Sequence, residues 1–251
     1  MTLVVLVHGA WHTGSSWAPV VQALAERGRD AVAMDLPGDR PGSGLLDHAA
    51  AVEESIAAAI PRDSPERVVL VGHSLGGLTV PVVAQRLGPD RVAAMVLVAA
   101  LVPEPGRSFR EQSRADPHIM AAGFGPGQVR HDDGTTSWPV EVAPATLYRG
   151  VAEESSAAEV AAAITGLRPQ AWDLHRDVTP LVQWPGIPTT VVVCAGDQVV
   201  SADRLRSRAA ELPNTQVVEL PGGHFPMLTR PAELAAVIES VVEEVSGAAT
   251  R

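Results

Sequence analysis

The chain has 251 residues, of which 46% are hydrophobic and 19% are charged, and its formal net charge is −10. This length suits one large α/β domain, or one domain with an insertion, and a chain of this size buries a substantial core. The acidic balance and the absence of any basic run argue against nucleic acids and anionic membranes as partners.

Several kinds of chemistry are excluded by missing or rare residue types. All 19 basic residues are arginine, so no lysine is present to form a Schiff base or to anchor a cofactor. The single cysteine, Cys194, lies in an apolar run and is predicted to be a small buried hydrophobe. No histidines or carboxylates have metal-ligand spacing, so we expect neither a metal nor a cofactor. No stretch approaches ~18 uninterrupted apolar residues and the N-terminus enters a strand directly, so we expect a cytoplasmic protein without a membrane segment.

Apolar runs of strand length alternate with segments of helical period in the first part of the chain. The predicted strands are continuous in apolar residues, as in strands covered on both faces, and span 3–7, 31–34, 68–71 and 92–101. Helices are predicted after Ser15 and Ser16, which can cap a helix, and over 45–60 and 78–87. This order of elements is typical of a parallel sheet.

The segment 103–188 has a different character. It is punctuated by proline and glycine, lacks a strong buried strand, and contains Trp138, Trp172 and Trp184. Disordered linkers seldom hold three tryptophans, so we expect an ordered lid over one end of the sheet, with a helix over 152–167.

The sheet resumes after this insertion. The remaining elements are strands at 189–194 and 216–220 and helices at 203–212 and 231–245. We therefore predict an α/β fold with a doubly wound, mostly parallel sheet. Residues 1–102 and 189–251 form its core, and residues 103–188 form a lid inserted between two core strands.

A serine flanked by glycines lies where a predicted strand meets a predicted helix. Four apolar β-formers lead into Gly72-His73-Ser74-Leu75-Gly76-Gly77. In such a turn the serine adopts strained backbone angles, and a Cβ on the flanking glycines would collide with neighbouring elements. Ser74 is therefore the predicted nucleophile.

A serine nucleophile needs a base and an acid, and parallel sheets collect functional groups at the carboxyl ends of their strands. His224 and Asp197 each come shortly after a predicted strand. We predict His224 as the base and Asp197 as the acid that orients its ring. Glu104 is the competing acid, whereas Asp203 is better explained as a helix-start residue. The other histidines after Ser74 lie in the lid, away from strand ends: His118, His131 and His175.

Acyl transfer also needs donors for the developing oxyanion. The backbone N–H of Leu75, at the start of the helix, is one candidate, and the helix dipole adds to it. The second is predicted to be the N–H of Ala10, in the glycine-containing turn after the first strand. His8 is expected to form hydrogen bonds at the strand end, and His73 is expected to pack within the serine turn.

The motifs resemble those of the α/β-hydrolase superfamily over nearly the whole chain, and the order nucleophile, acid, histidine is the order found there. They are His8-Gly9, Asp35-Leu36-Pro37-Gly38, Gly72 to Gly77, Ala195-Gly196-Asp197 and Gly222-Gly223-His224. Residues 8–17, Leu147-Tyr148, 167–170 and 223–228 look like the small-lid group, which includes plant methylesterases, hydroxynitrile lyases and bacterial carboxylesterases. The resemblance implies the same triad of Ser74, Asp197 and His224.

One departure from this group argues against lyase activity. Its hydroxynitrile lyases carry a lysine just after the histidine and a threonine beside the first-strand turn, where this chain has Phe225 and Gly9. Epoxide hydrolases and haloalkane dehalogenases of the superfamily carry aspartate at the position of Ser74, which argues against both.

The sequence therefore predicts a serine hydrolase without a cofactor that cleaves a carboxylic ester or lactone through an acyl-enzyme on Ser74. A small to medium hydrophobic substrate is expected in a pocket built by five aromatic residues: Trp11, Trp138, Tyr148, Trp172 and Phe225. Two alternatives stay open. The same triad can serve thioester, amide or C–C cleavage or a biosynthetic cyclisation, or the chain can be a ligand receptor on a hydrolase scaffold.

Overall fold

Parallel strands form the centre of the molecule. The computed structural model describes residues 2–61, 64–151 and 154–248. Its strands are β1 (Thr2–Val7), β2 (Ala31–Ala33), β3 (Arg67–His73), β4 (Val92–Val98), β5 (Val129–Arg130), β6 (Thr136–Ser137), β7 (Thr189–Cys194) and β8 (Thr215–Leu220). Six of them form a parallel sheet in the order β2-β1-β3-β4-β7-β8, and β5 pairs with β6 in a separate antiparallel hairpin.

Helices flank the sheet, and several of them also pack against one another. They are α1 (Ala18–Glu26), α2 (Leu45–Ala59), α3 (Gly76–Leu87), α4 (Phe109–Ala115), α5 (Ala157–Thr165), α6 (Asp173–Arg176), α7 (Ala202–Glu211), α8 (Pro226–Thr229) and α9 (Pro231–Ala248). Helix α1 contacts α9, and α2 contacts α3. None of the helices in the described ranges is long and apolar enough to cross a bilayer.

The middle strands have apolar side chains on both faces because helices cover the sheet from both sides. All residues of β4 and β7 are buried, as are six of the seven residues of β3. Strand β8 lies at the sheet edge, and the side chain of Val217 there is 40% exposed. The predicted fold class, an α/β fold with a doubly wound and mostly parallel sheet, is confirmed.

The register of the strands brings the loops at their carboxyl ends together. Val7 of β1 is level with Gly72 of β3, so the turn after β1 lies beside the turn that carries Ser74. Cys194 of β7 is level with Leu220 of β8, and the backbone N–H of Gly196 donates to the carbonyl of Gly222 at 2.8 Å. The loops that carry Asp197 and His224 are therefore neighbours.

The segment 103–188 connects β4 to β7 and contains α4, the β5–β6 hairpin, α5 and α6. Its helix α5 is shorter than predicted. The hydroxyl of Ser156 caps the helix by accepting from the N–H of Glu159, so the helix begins at Ala157; residues 152 and 153 lie outside the described residues. The predicted strand 92–101 ends early, at Val98, because Ala99 has a φ of 45° and turns the chain out of the sheet.

Candidate active site

Ser74 lies in a sharp turn between β3 and α3. Its φ is 51°, a left-handed backbone conformation that is uncommon for a residue with a side chain. A Cβ on Gly72 would lie 2.9 Å from the carbonyl oxygen of Gly76, and a Cβ on Gly76 would lie 2.8 Å from that of His8. The two glycines are thus required by close backbone approach, as the sequence predicts for such a turn.

The turn is tied to the following strand on both sides of Ser74. The N–H of Ser74 donates to the carbonyl of Val98 at 3.1 Å, and the N–H of Leu101 donates to the carbonyl of Ser74 at 2.9 Å. Because both its N–H and its carbonyl are bonded to the chain at the end of β4, Ser74 cannot relax to an unstrained φ without breaking these bonds.

The structure brings Ser74, His224 and Asp197 into one hydrogen-bonded chain. The distance from Ser74 Oγ to His224 Nε2 is 3.0 Å, and the distance from His224 Nδ1 to Asp197 Oδ2 is 2.8 Å. A carboxylate only accepts hydrogen bonds, so Nδ1 carries the proton and Nε2 is free to accept from the serine hydroxyl. The imidazole is oriented as a base towards Ser74.

The carboxylate of Asp197 is fixed by the backbone that follows it. Its Oδ1 accepts the N–H groups of Val199 at 2.8 Å and Val200 at 3.0 Å, which leaves Oδ2 directed at His224. The side chains of Asp197 and His224 are 2% and 4% exposed, so the hydrogen bond between them is shielded from water. Such a carboxylate stabilises a positively charged imidazole when the ring takes up a proton.

The competing residues lie elsewhere. Glu104 pairs with Arg107 at 2.6 Å, and Asp203 pairs with Arg206 at 2.7 Å in the first turn of α7. His131 bonds to the hydroxyl of Ser137, and His175 packs against the ring of Trp172. Among the described residues, no acid except Asp197 bonds to His224, and no histidine except His224 bonds to Ser74.

The two predicted oxyanion donors flank Ser74. Leu75 precedes the first residue of α3, and a Cβ on Gly9 would lie 2.9 Å from the Cβ of Ser74, so the turn after β1 contacts the nucleophile. In the described parts of the chain, the N–H groups of Ala10 and Leu75 donate to no protein acceptor. Both are therefore available to a ligand oxygen.

Three buried histidines surround this site without touching the serine hydroxyl. His8 Nδ1 donates to the carbonyl of Gly9 at 2.8 Å while its Nε2 accepts the N–H of Leu36 at 3.0 Å. His73 Nε2 donates to the carbonyl of His224 at 2.8 Å, and His12 Nδ1 donates to the carbonyl of Ala10 at 2.7 Å. Burial lowers the pKa of His8 to about 3 and of His12 to about 4, and lowers the pKa of His73 well below its usual value. All three rings are therefore neutral at neutral pH, and each donates a hydrogen bond to a backbone carbonyl.

The five aromatic residues predicted to line the pocket form two groups. Trp11 packs edge-on against Trp138 and Trp172, and the indole N–H groups of Trp11 and Trp172 both donate to Thr136 Oγ1, at 3.1 and 2.8 Å. Tyr148 stacks on Phe225 with ring centroids 4.6 Å apart. Phe225 also contacts the ring of His224, with centroids 5.0 Å apart.

A cavity of about 370 Å³ opens beside the second group. Tyr148 and Phe225 line it together with His12, Met227 and residues from the starts of α1 and α9 and from α5. Among the residues described, its lining does not include Ser74, His224 or Asp197, but Phe225 of the lining also contacts the ring of His224. The structure thus places two of the five predicted pocket residues at a cavity and packs the other three together, with Trp138 and Trp172 against Trp11.

Comparison with known proteins identifies the family. Residues 4–237 match the model of the alpha/beta hydrolase family. The chain belongs to this family. Methyl jasmonate esterase 1 of Vitis vinifera is 26% identical to this α/β hydrolase over 96% of the chain and 97% of the relative. Esterase PIR7B of Oryza sativa subsp. japonica is 28% identical over 96% of the chain and 95% of the relative.

A solved structure shows the same fold. The crystal structure of a pyrethroid hydrolase from Sphingobium faniae JZ-2 superposes with a TM-score of 0.75 over 96% of this α/β hydrolase and 97% of that chain, at 24% identity. The named relatives are esterases and hydrolases, so the prediction of a hydrolytic enzyme that resembles plant methylesterases and bacterial esterases is confirmed.

Sequence reasoning missed three residues that this α/β hydrolase uses around its site. His12 and Gln170 bond to the turn after β1, and Thr136 accepts from two tryptophans. A signal for His12 was available, because it lies in the same turn as His8, for which a hydrogen-bonding role was predicted. Gln170 and Thr136 act through contacts between distant parts of the chain, which no local pattern indicates.

Proposed function

We propose that this α/β hydrolase cleaves a carboxylic ester or lactone through an acyl-enzyme on Ser74. The observation that carries the proposal is the unbroken chain of bonds from Ser74 Oγ through His224 to Asp197, with both termini anchored in backbone. A serine hydroxyl becomes a strong nucleophile only when a base of suitable pKa accepts its proton, and this arrangement supplies that base.

The chemistry follows from the placement of the three side chains. Ser74 Oγ attacks the ester carbonyl carbon while its proton passes to His224 Nε2, and the negative charge that develops on the carbonyl oxygen is held by the N–H groups of Ala10 and Leu75. The tetrahedral intermediate collapses, the C–O bond breaks, and the alcohol leaves with the proton from His224. Water then attacks the acyl carbon and gives a proton to His224. The bond from that carbon to Ser74 Oγ breaks as His224 returns the proton to Oγ, which releases the carboxylic acid and restores the enzyme.

Steric constraints at Gly9 support hydrolysis over the lyase reaction of related enzymes. A Cβ at this position would lie 2.9 Å from both His73 Nδ1 and Ser74 Cβ, so a threonine side chain has no room there without a shift of the nucleophile turn. Lysine is absent from the whole sequence. The two side chains that the resemblance associates with lyase activity are therefore missing.

The aromatic surroundings support a small to medium hydrophobic substrate. Trp138 and Trp172 pack on Trp11 of the turn after β1, and Tyr148 stacks on Phe225, which contacts the ring of His224. The cavity beside Phe225 has a volume within the range of small-molecule sites. The relatives named methyl jasmonate esterase and pyrethroid hydrolase point in the same direction.

Labelling with a fluorophosphonate probe tests the proposal. The probe phosphonylates an activated serine, so the parent enzyme is expected to be labelled and Ser74→Ala is expected to lose both labelling and ester hydrolysis. Ser113→Ala, a serine of the lid that bonds only to the carbonyl of Arg110, is the matched control and should behave like the parent. Labelling or hydrolysis that persists in Ser74→Ala would contradict the proposal.

A substrate panel of esters, lactones, thioesters and amides then separates ester cleavage from the other reactions of such a triad.

A further inference from the structure

The turn after β1 is held from outside by residues of the segment 103–188. We call residues 9–12 the oxyanion turn. The N–H of Trp11 donates to Gln170 Oε1 at 3.2 Å, and the carbonyl of Trp11 accepts the N–H of Arg168 at 2.8 Å. Trp11 has a φ of 63°, so the turn contains a strained residue whose conformation depends on these bonds.

A second connection runs through the ring of His12. A carbonyl oxygen can only accept, so His12 Nδ1, 2.7 Å from the carbonyl of Ala10, carries the proton. The neutral ring then has an acceptor at Nε2, and the hydroxyl of Tyr148 donates to it at 2.8 Å. The hydroxyl of Tyr148 thus fixes the tautomer and the angle of the ring that holds the oxyanion turn.

These bonds determine where the N–H of Ala10 points. A peptide unit is planar, and its C=O and N–H point in opposite directions. His8 holds the carbonyl of Gly9, which belongs to the same peptide unit as the N–H of Ala10, and His12 holds the carbonyl of the next unit. The peptide unit that contains the N–H of Ala10 and the unit that follows it are therefore both fixed in orientation. The N–H of Ala10 itself donates to no acceptor in the described residues.

The ring of Tyr148 lines the cavity beside Phe225, but its hydroxyl is poorly placed to bind substrate. Its side chain is 1% exposed, its ring is stacked on Phe225, and its hydroxyl proton is already donated to His12. Its polar atom therefore acts on the core of the enzyme and not on a ligand.

We propose that Tyr148, acting through His12, is a positioning residue that aims the N–H of Ala10 at the substrate oxyanion, with Gln170 holding the adjacent peptide unit. Contact between the lid and the core then completes the oxyanion hole, in addition to covering the substrate. This inference rests on the proposed acyl-enzyme mechanism.

The test uses Tyr148→Phe, which removes the hydroxyl and keeps the ring. Removing one oxyanion donor outright lowers kcat by about 100- to 1,000-fold, so a donor that is only misaimed should cost about 5- to 50-fold in kcat, with KM changed less than about twofold. Trp184→Phe is the matched control, because Trp184 is a buried aromatic residue of the same segment whose indole N–H has no partner among the described residues. It should leave kcat per active site unchanged.

A second readout separates positioning from a merely structural role. A trifluoromethyl ketone analogue of a good ester substrate forms a hemiketal oxyanion on the serine, so its Ki should rise in Tyr148→Phe by the same factor as kcat falls. The Ki of the corresponding alcohol, which forms no oxyanion, should stay within about twofold of the parent value. His12→Asn tests the connection itself: its amide can still donate to the carbonyl of Ala10 but bypasses Tyr148, so Tyr148→Phe should have little further effect in that background.

The outcomes are distinguishable from failure of the proposed function. If Ser74 is labelled by the fluorophosphonate but Tyr148→Phe keeps the parent kcat and hemiketal Ki, the positioning role is wrong and the acyl-enzyme mechanism stands. If Ser74 is not labelled at all, the proposed function is wrong as well. Should Tyr148→Phe fold poorly, Gln170→Met removes the acceptor for Trp11 while keeping the size of the side chain, and the same two readouts apply.

Discussion

The loops at the strand ends and the segment 103–188 contribute to the site in different ways. The strand-end loops present Ser74, Asp197, His224 and Ala10. Ser74 and Asp197 are placed by backbone bonds that are close in sequence or cross one strand pair. The segment 103–188 presents no member of the proposed triad. Its Tyr148, Arg168 and Gln170 instead bond to the core turn that carries Ala10. In the proposed mechanism the core therefore carries the reacting groups, and the segment 103–188 supports their geometry.

The largest expected effect is at the acid of the core. Asp197→Asn should lower kcat by about 10,000-fold, because an amide in place of the carboxylate favours the wrong tautomer of His224 and does not stabilise its charged form. Steady-state kinetics on a model ester measure the loss. Glu104→Gln, which disrupts only the ion pair to Arg107, is the control and should have little effect. A mild defect in Asp197→Asn together with a severe one in Glu104→Gln would move the acid to Glu104.

The next effect tests the contact between the oxyanion turn and the nucleophile. In Gly9→Ala the new Cβ would approach Ser74 Cβ to 2.9 Å, so the serine must shift by a few tenths of an ångström. Misplacing a reacting group by about 1 Å can lower the reaction rate by about 100-fold. We therefore expect kcat to fall by about 10- to 100-fold while the fold is retained. Gly186→Ala, at an exposed position without a left-handed φ where a Cβ meets no atom within 4 Å, controls for the loss of a glycine on its own. Parent-like kcat in Gly9→Ala would show that the turn does not constrain Ser74.

A change inside the lid should act on stability first. Thr136→Val leaves the indole N–H groups of Trp11 and Trp172 without their shared acceptor. We expect the free energy of unfolding to fall by about 1–3 kcal/mol, measured by urea denaturation. Thr146→Val, whose hydroxyl bonds to the carbonyl of Val142 and is partly exposed, is the control with a smaller loss. A large fall in kcat without a change in stability would place Thr136 in the catalytic machinery instead.

The smallest expected effect concerns pH. His48 of α2 is buried, and burial lowers its pKa to about 4 from an ordinary value near 6.5. Below about pH 6.5 the His48 side chain binds a proton in the unfolded chain but stays neutral in the folded chain. The free energy of unfolding therefore falls as the pH falls towards 4. His48→Leu should therefore gain stability relative to the parent by up to about 1.4 kcal/mol per pH unit in that window, and not above it. Denaturation curves at pH 7.5 and 5 measure it; an equal difference at both pH values would contradict the explanation.

Much of the core could be predicted from the sequence, because its signals are local. Continuous apolar runs mark strands that are covered on both faces, and Gly72 and Gly76 mark a turn that no other residues allow. The spatial arrangement of Ser74, Asp197 and His224 then follows from the parallel register, which aligns the strand ends at one edge of the sheet.

The lid could not be predicted to the same depth. Its aromatic residues were expected to face a ligand, but Trp138 and Trp172 pack on Trp11, and Tyr148 donates to His12. These contacts join residues that lie more than 100 positions apart, and an aromatic residue looks the same in sequence whether it faces a pocket or another ring. The local signals there are two serines that cap helices: Ser108 of α4 comes three residues before Glu111, and Ser156 of α5 comes three residues before Glu159.

The most direct test of the central claim is rapid-quench mass spectrometry of the enzyme with a p-nitrophenyl ester. We predict a burst of one p-nitrophenol per active site and an added mass equal to the acyl group, located on the peptide that contains Ser74. Hydrolysis that proceeds without any acyl adduct, or an adduct on a residue other than Ser74, would contradict the account.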